Sequence, residues 1–178
     1  MRTLLVGMGN PFLCDDAVGV RLARALAPHL GQLPDLDLIE ECSVGGLDLL
    51  DLLRGYERAI VLDSLRTVGG VAGDWHHFDA EALRGTVHLA GIHDANFATV
   101  LELGRRLGVP LPEPKDIHVF AVEVEDDLTF SERMSPALER RFPACAAGIL
   151  EGVRAVLDGV DPASAVGEAR TPTLPPAM

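Results

Sequence analysis

Asp16, Asp63 and His93 are residues of the types that could do chemistry together. Each follows a stretch that reads as a β-strand, and in a parallel sheet the loops after the strands share one edge, so the three can converge. Two carboxylates and one imidazole offer mixed oxygen and nitrogen ligation, suited to zinc, nickel or iron, with positions left open for a substrate. Each residue also has a plainer reading. Asp15 or Asp16 caps the first helix, Asp63 caps a turn, and His93 is a hydrogen-bonded histidine ahead of a helix. Spacing alone leaves both readings open, because the residues come from separate segments.

Other reactive side chains carry less. Cys14 paired with His93 has the outline of a nucleophile and base, but the adjacent acids Asp15 and Asp16 raise a thiol pKa and disfavour thiolate. His76 and His77 lie on a predicted strand and point to opposite faces, so at most one joins a site. Glu123, Glu125, Asp126 and Asp127 read as a solvated acidic loop. Gly7-x-Gly9 after a strand and before a helix suggests dinucleotide binding. That fits badly, because Phe12 stands at the third glycine position and the acids Glu40 and Glu41 lie too far downstream.

The elements that must position these residues follow from pattern. Thr3 to Val6 reads as a buried strand and Val18, Leu22, Ala25 and Leu26 recur at helical spacing. Between them the stretch from Gly7 to Gly19 turns sharply at the carboxyl end of the strand. The first helix fades near Pro28 and Gly31. Leu36 to Ile39 reads as a second strand, and Leu47, Leu49, Leu50 and Leu53 as a short helix. Ala59 to Asp63 is a continuous apolar run ending in an acid, as expected for a parallel strand buried on both faces. Asp74 to Phe78 is an extra edge strand. A helix follows from Asn96 with Asp94 as N-cap, and Ile117 to Val122 is the last strand. Ser135-Pro136 starts a helix, and Pro143 is expected to start a second helical piece.

This order implies an α/β fold: a three-layer αβα sandwich around a mostly parallel twisted sheet of about five strands. Residues 1–158 form one domain, and residues 159–178, rich in Pro and Ala, form a tail that cannot bury enough to fold by itself. The net charge of −12 argues against nucleic acid and anionic membranes as partners. Three cysteines without a C-x-x-C pair suit a reducing compartment. With no signal segment and no membrane-length apolar run, the expected location is cytoplasmic and the expected state monomeric.

The stretch Gly7-x-Gly9-Asn10-x-x-x-x-Asp15-Asp16-x-x-Gly19 resembles the opening motif of the hydrogenase maturation proteases, which trim nickel-iron hydrogenase large subunits. Ser43-x-Gly45 looks like the family's Gly-Thr-x-Gly turn, Val61-Leu62-Asp63 like its strand ending in an acid, and His93 stands where the family has a histidine. The similarity runs from residue 1 to about 157. Departures are Cys42 where glycine is usual, Ser43 for threonine, and Gly91-Ile92 where a serine commonly precedes the histidine. The resemblance implies that Asp16, Asp63 and His93 bind nickel and take part in catalysis. It implies an endopeptidase that removes the C-terminal extension of a nickel-loaded hydrogenase large-subunit precursor. The nickel then arrives with the substrate, and no tightly bound cofactor of the protein's own is expected. A maturation chaperone that binds nickel and precursor without cutting, and a nucleotide-binding α/β protein, are the alternatives. No Ser-His-Asp or H-E-x-x-H arrangement names a nucleophile, and the general base is left unassigned between Asp16 and Asp63.

Overall fold

Successive residues of the central strands are buried on opposite faces of the sheet, which divides the apolar residues into two sets, and each set requires a layer of helices over it. The computed structural model describes residues 1–30, 32–44, 46–82 and 97–162. In chain order the elements are β1 (Thr3–Met8), α1 (Val18–Leu30), β2 (Leu36–Cys42), α2 (Asp48–Leu53), β3 (Arg58–Leu65), β4 (Trp75–Asp79), α3 (Phe97–Arg106), β5 (Ile117–Glu123) and α4 (Pro136–Leu157). A 3₁₀ turn, Pro114–Asp116, leads into β5.

The strands form one sheet in the order β2-β1-β3-β5-β4. The first four are mutually parallel, and β4 runs antiparallel to β5 at the edge. Leu4, Val6, Ala59, Val61, Ile117 and Val119 pack on one face with Leu49, Leu50 and Leu53 of α2 and with Val100 and Leu101 of α3. On the other face Leu5, Ile60, Leu62 and Phe120 pack with Val18, Leu22 and Leu26 of α1 and with Leu138, Ile149 and Val153 of α4. Full burial of such a side chain contributes roughly 1.5–3 kcal/mol, so the sandwich rests on these two clusters. The expected three-layer αβα architecture and five-stranded sheet are met.

The chain leaves β1 toward β2 on one side, returns to β3, and continues to β5 and β4 on the other. Strand order therefore reverses between β1 and β3, and ligands of open α/β sheets collect beyond the carboxyl ends of the strands at such a point. Gly19 lets α1 approach this place closely, since a Cβ there would run into the carbonyls of Met8 and Leu62.

Two local expectations are corrected. Pro143 lies inside α4, which runs unbroken from Pro136 to Leu157. The ring is on the exposed side, where water can serve the carbonyl it leaves without a donor, while Leu138, Cys145 and Ile149 keep both halves on one core. The acidic run is not a simple solvated loop: Glu123 is 2 % exposed at the end of β5, and Val124 beside it is buried as well. The expectations for His93, for Asp94 as an N-cap, for Gly45 and Gly91-Ile92, and for most of the tail fall outside the described residues. Among the described residues no helix is long and apolar enough to cross a membrane.

Candidate active site

The turn after β1 is held open by its own side chains. Gly9 takes φ 127°, a conformation suited to glycine. The Asn10 N–H then donates to Asp16 Oδ2 at 2.7 Å, and the Phe12 N–H donates to Asn10 Oδ1 at 3.0 Å. Ser43, in the loop after β2, donates its hydroxyl to the Gly9 carbonyl at 3.2 Å and ties the two loops together.

Adjacent acids part ways here. Asp15 is fully buried; its Oδ1 accepts the Ser135 N–H at 2.7 Å, and its Oδ2 accepts those of Asp126 at 3.2 Å and Glu125 at 3.3 Å. It thus clamps the segment between β5 and α4 onto the turn. Backbone bonds from Cys14 N–H to the Thr129 carbonyl and from Ser131 N–H to the Phe12 carbonyl continue the seam. Asp16 faces the other way, toward β3. The capping reading of the two acids yields to these longer-range partners.

Asp63 ends the apolar run of β3 and is 4 % exposed, and Asp16 is 8 % exposed. Asp63 Oδ1 accepts the Ser64 N–H at 2.7 Å. The Ser64 hydroxyl donates to Asp16 Oδ1 at 3.2 Å. One residue therefore touches both carboxylates, at the reversal of strand order. Asp63 lies not on a loop after its strand, the expected position, but inside β3, paired with Ala121 of β5, which accounts for its burial. Among the described residues no three His, Cys, Asp or Glu side chains are grouped to hold a metal ion; His93 lies outside those residues.

The thiols fit packing rather than nucleophilic attack. Burial first, then the charges of Asp15 and Asp126, push the Cys14 thiol up. Burial chiefly pushes up Cys42 too; the Val44 N–H opposes this and the charge of Asp63 adds to it. The histidines on β4 do point to opposite faces. His76 pairs across β5 with Ala121, which in turn pairs with Asp63, so these three share a row on one sheet face. Its Nε2 lies 3.2 Å from Glu123 Oε1, and Glu123 also accepts from the Thr67 hydroxyl at 2.6 Å and the Thr67 N–H at 3.1 Å. His77 faces Phe120 and His118 instead.

Among the described residues, two cavities lie beside the turn. One of about 320 Å³ is lined by Pro11, Phe12, Val20, Arg21, Arg24 and Glu41, among others. The other, about 550 Å³, lies by Cys14, Asp126, Arg133 and Ser135. Neither is lined by the carboxylates of Asp16 and Asp63, which sit deeper, between the strand ends.

The sequence pointed to Asp16 and Asp63 together with His93; the fold brings the two acids to Ser64, and His93 lies outside the described residues. Ser64 itself was missed; a polar residue directly after the acid that closes the apolar run was the available signal. Asp15 was not separated from Asp16, because its partners lie 110 to 120 residues away.

No protein-family profile matches the chain. Among curated proteins, the hydrogenase 2 maturation protease of Escherichia coli strain K12 is 35% identical over 65 residues, 36% of this chain and 39% of that protein. The match thus spans well under half of that relative's length. Among solved structures, the hydrogenase maturating endopeptidase HybD from E. coli aligns with a TM-score of 0.67 at 23% identity, covering 90% of this chain and 96% of the other. A [NiFe] hydrogenase maturation protease HycI from Thermococcus kodakarensis aligns with a TM-score of 0.62 at 20% identity, covering 88% and 92%. In fold across most of its length, and in sequence across the matched third, this chain is like the hydrogenase maturation proteases.

Proposed function

We propose that this protein is an endopeptidase that removes the C-terminal extension of a [NiFe] hydrogenase large-subunit precursor and recognises the nickel which that precursor carries. The observation that carries the reading is the pair Asp16 and Asp63, brought together through Ser64 at the reversal of strand order, in a fold shared with proteases of that name. Hard oxygen donors and an imidazole, His93, suit open positions on a divalent ion already held by the substrate. The scissile bond is then docked when metal is present, and a carboxylate of the pair can accept the proton of the attacking water. The edge around the site also suits a protein substrate. Phe12, Leu47, Val68, Leu128 and Phe130, all more than half exposed, stand on loops that follow strands.

A nucleotide-binding role fares worse on chemistry. The Asn10 N–H, which a phosphate would need, is taken by Asp16 Oδ2, and a carboxylate in that place repels phosphate.

The test is incubation of purified protein with precursor from the same organism, nickel-loaded and nickel-free. One cut near the C-terminus of the loaded form alone is expected. Equal cleavage of both forms refutes nickel recognition, and binding without any cut favours the chaperone reading. Metal analysis of the purified protein should find well under one nickel per chain, since the ion belongs to the substrate.

A further inference from the structure

Ser64 meets both acids of the site. Its N–H holds Asp63 Oδ1 at 2.7 Å, and its hydroxyl reaches across from β3 to Asp16 Oδ1 at 3.2 Å. The other Asp16 oxygen is fixed by the Asn10 N–H, so each oxygen of that carboxylate has a donor and the group is locked about its terminal torsion. Without the hydroxyl only the Asn10 bond would orient it, and a terminal sp³–sp² torsion of this kind is soft. Ser64 is itself partly exposed, as expected of a side chain that borders a crevice rather than filling the core. A bond of 3.2 Å lies at the long end for an O–H donor.

We propose that Ser64 is a positioning residue that sets the orientation of Asp16 relative to Asp63, so that both carboxylates address one divalent ion. This rests on the proposed metal-recognising role of the two acids. The serine neither bonds to the ion nor attacks the peptide; it acts through Asp16. Partners that orient metal-binding carboxylates typically govern roughly 10–100-fold in affinity or activity, and an effect of that size is expected here.

The experiment titrates Ni²⁺ into the purified protein by calorimetry, comparing wild type with Ser64→Ala and Ser64→Thr, each with Asp16 intact and with Asp16→Ala. Melting is recorded for every variant. Ser64→Ala should weaken Ni²⁺ about tenfold or more, and Ser64→Thr, which restores a hydroxyl, should return it to within about threefold of wild type. With Asp16→Ala in place, Ser64→Ala should change affinity no further, the signature of a residue acting through its partner. In cleavage of nickel-loaded precursor, Ser64→Ala should lower kcat/KM about tenfold, and Ser64→Thr should restore it to within about threefold.

Wild-type affinity in Ser64→Ala overturns the proposal. So does an undiminished effect of Ser64→Ala on top of Asp16→Ala, since the serine would then merely brace the turn. Failure of the wild type to cut loaded precursor counts against the protease reading alone, because the Ni²⁺ titration still decides whether Ser64 acts through Asp16.

Discussion

At the scale of single residues, Asp15 and Asp16 are neighbours with opposite duties. Asp15 is sealed and accepts three backbone N–H groups from the segment between β5 and α4; removing it leaves the buried Ser135 N–H unsatisfied, at ~1–3 kcal/mol, and strips two part-buried N–H groups of their partner at a smaller cost. Asp15→Ala should therefore lower unfolding free energy by roughly 2–4 kcal/mol. The folded remainder should still cut precursor. Asp16 has two donors, Asn10 and Ser64, and Asp16→Ala should lower stability by a smaller ~1–2 kcal/mol while cleavage falls below detection. Urea unfolding and a cleavage assay on both variants check the contrast. Loss of cleavage in a well-folded Asp15→Ala protein would contradict it. Sequence could not separate the two acids: adjacent in the chain, they are sorted by partners that only the folded chain supplies. Asp63 was easier, because an acid that closes an apolar run marks the carboxyl end of that run, although β3 continues past it to Leu65. Glu123 misled for the same reason as Asp15, since its partners Thr67 and His76 give no sign in a run of acids.

Among the elements, the edge strand β4 carries the clearest response to pH. His77 Nε2 lies 3.1 Å from His118 Nδ1, across the ladder between β4 and β5. Burial, then the charge of His77 and of Arg58, press the His118 pKa down to about 4, against Asp116 and Asp79, which favour its charged form. His77 is also lowered, chiefly by burial, with Asp161 and Asp79 opposing. Both rings are thus neutral when folded at pH 7. A histidine that titrates near ~6.5 when unfolded and near 4 when folded binds its proton first in the unfolded state. Its stabilising effect is complete above about pH 6.5 and is lost as pH falls toward about 4. The melting temperature should drop across that window, and His118→Gln should flatten the drop; an equally steep fall in the variant would point to other groups. The edge strand itself was legible, because glycines Gly69, Gly70 and Gly73 set off a short segment with weak alternation. The meeting of His77 with His118 was not, since it depends on register between two strands. Pro143 shows the converse, a local rule overridden when an exposed ring sits on a helix secured by core contacts on both sides.

For the molecule as a whole, architecture was legible because the alternation of strands and helices allows few arrangements, whereas strand order came only with the structure. The order matters, since it is the reversal between β1 and β3 that gathers the site. The same logic says where the domain should be cut. After α4 ends at Leu157, the Val160 N–H still donates to the Ala155 carbonyl at 2.8 Å, and Arg58 Nη1 donates to the Val156 carbonyl at 2.7 Å. Val153 and Val156 are buried against the sheet, and Pro162 beyond them is buried too. A chain shortened to end at Pro162 keeps all of these contacts and loses only residues 163–178, whose Pro, Ala and Thr content offers little apolar periodicity. It should melt within about 2 °C of the full chain and cut nickel-loaded precursor at the same rate. A chain ending at Glu151 loses both valines, each worth ~1.5–3 kcal/mol, together with the acceptor for Arg58. Against a total stability of roughly 5–15 kcal/mol, that loss should leave it largely unfolded at about 37 °C by circular dichroism. Unchanged melting with lost cleavage in the chain ending at Pro162 would instead give the tail a part in handling the precursor.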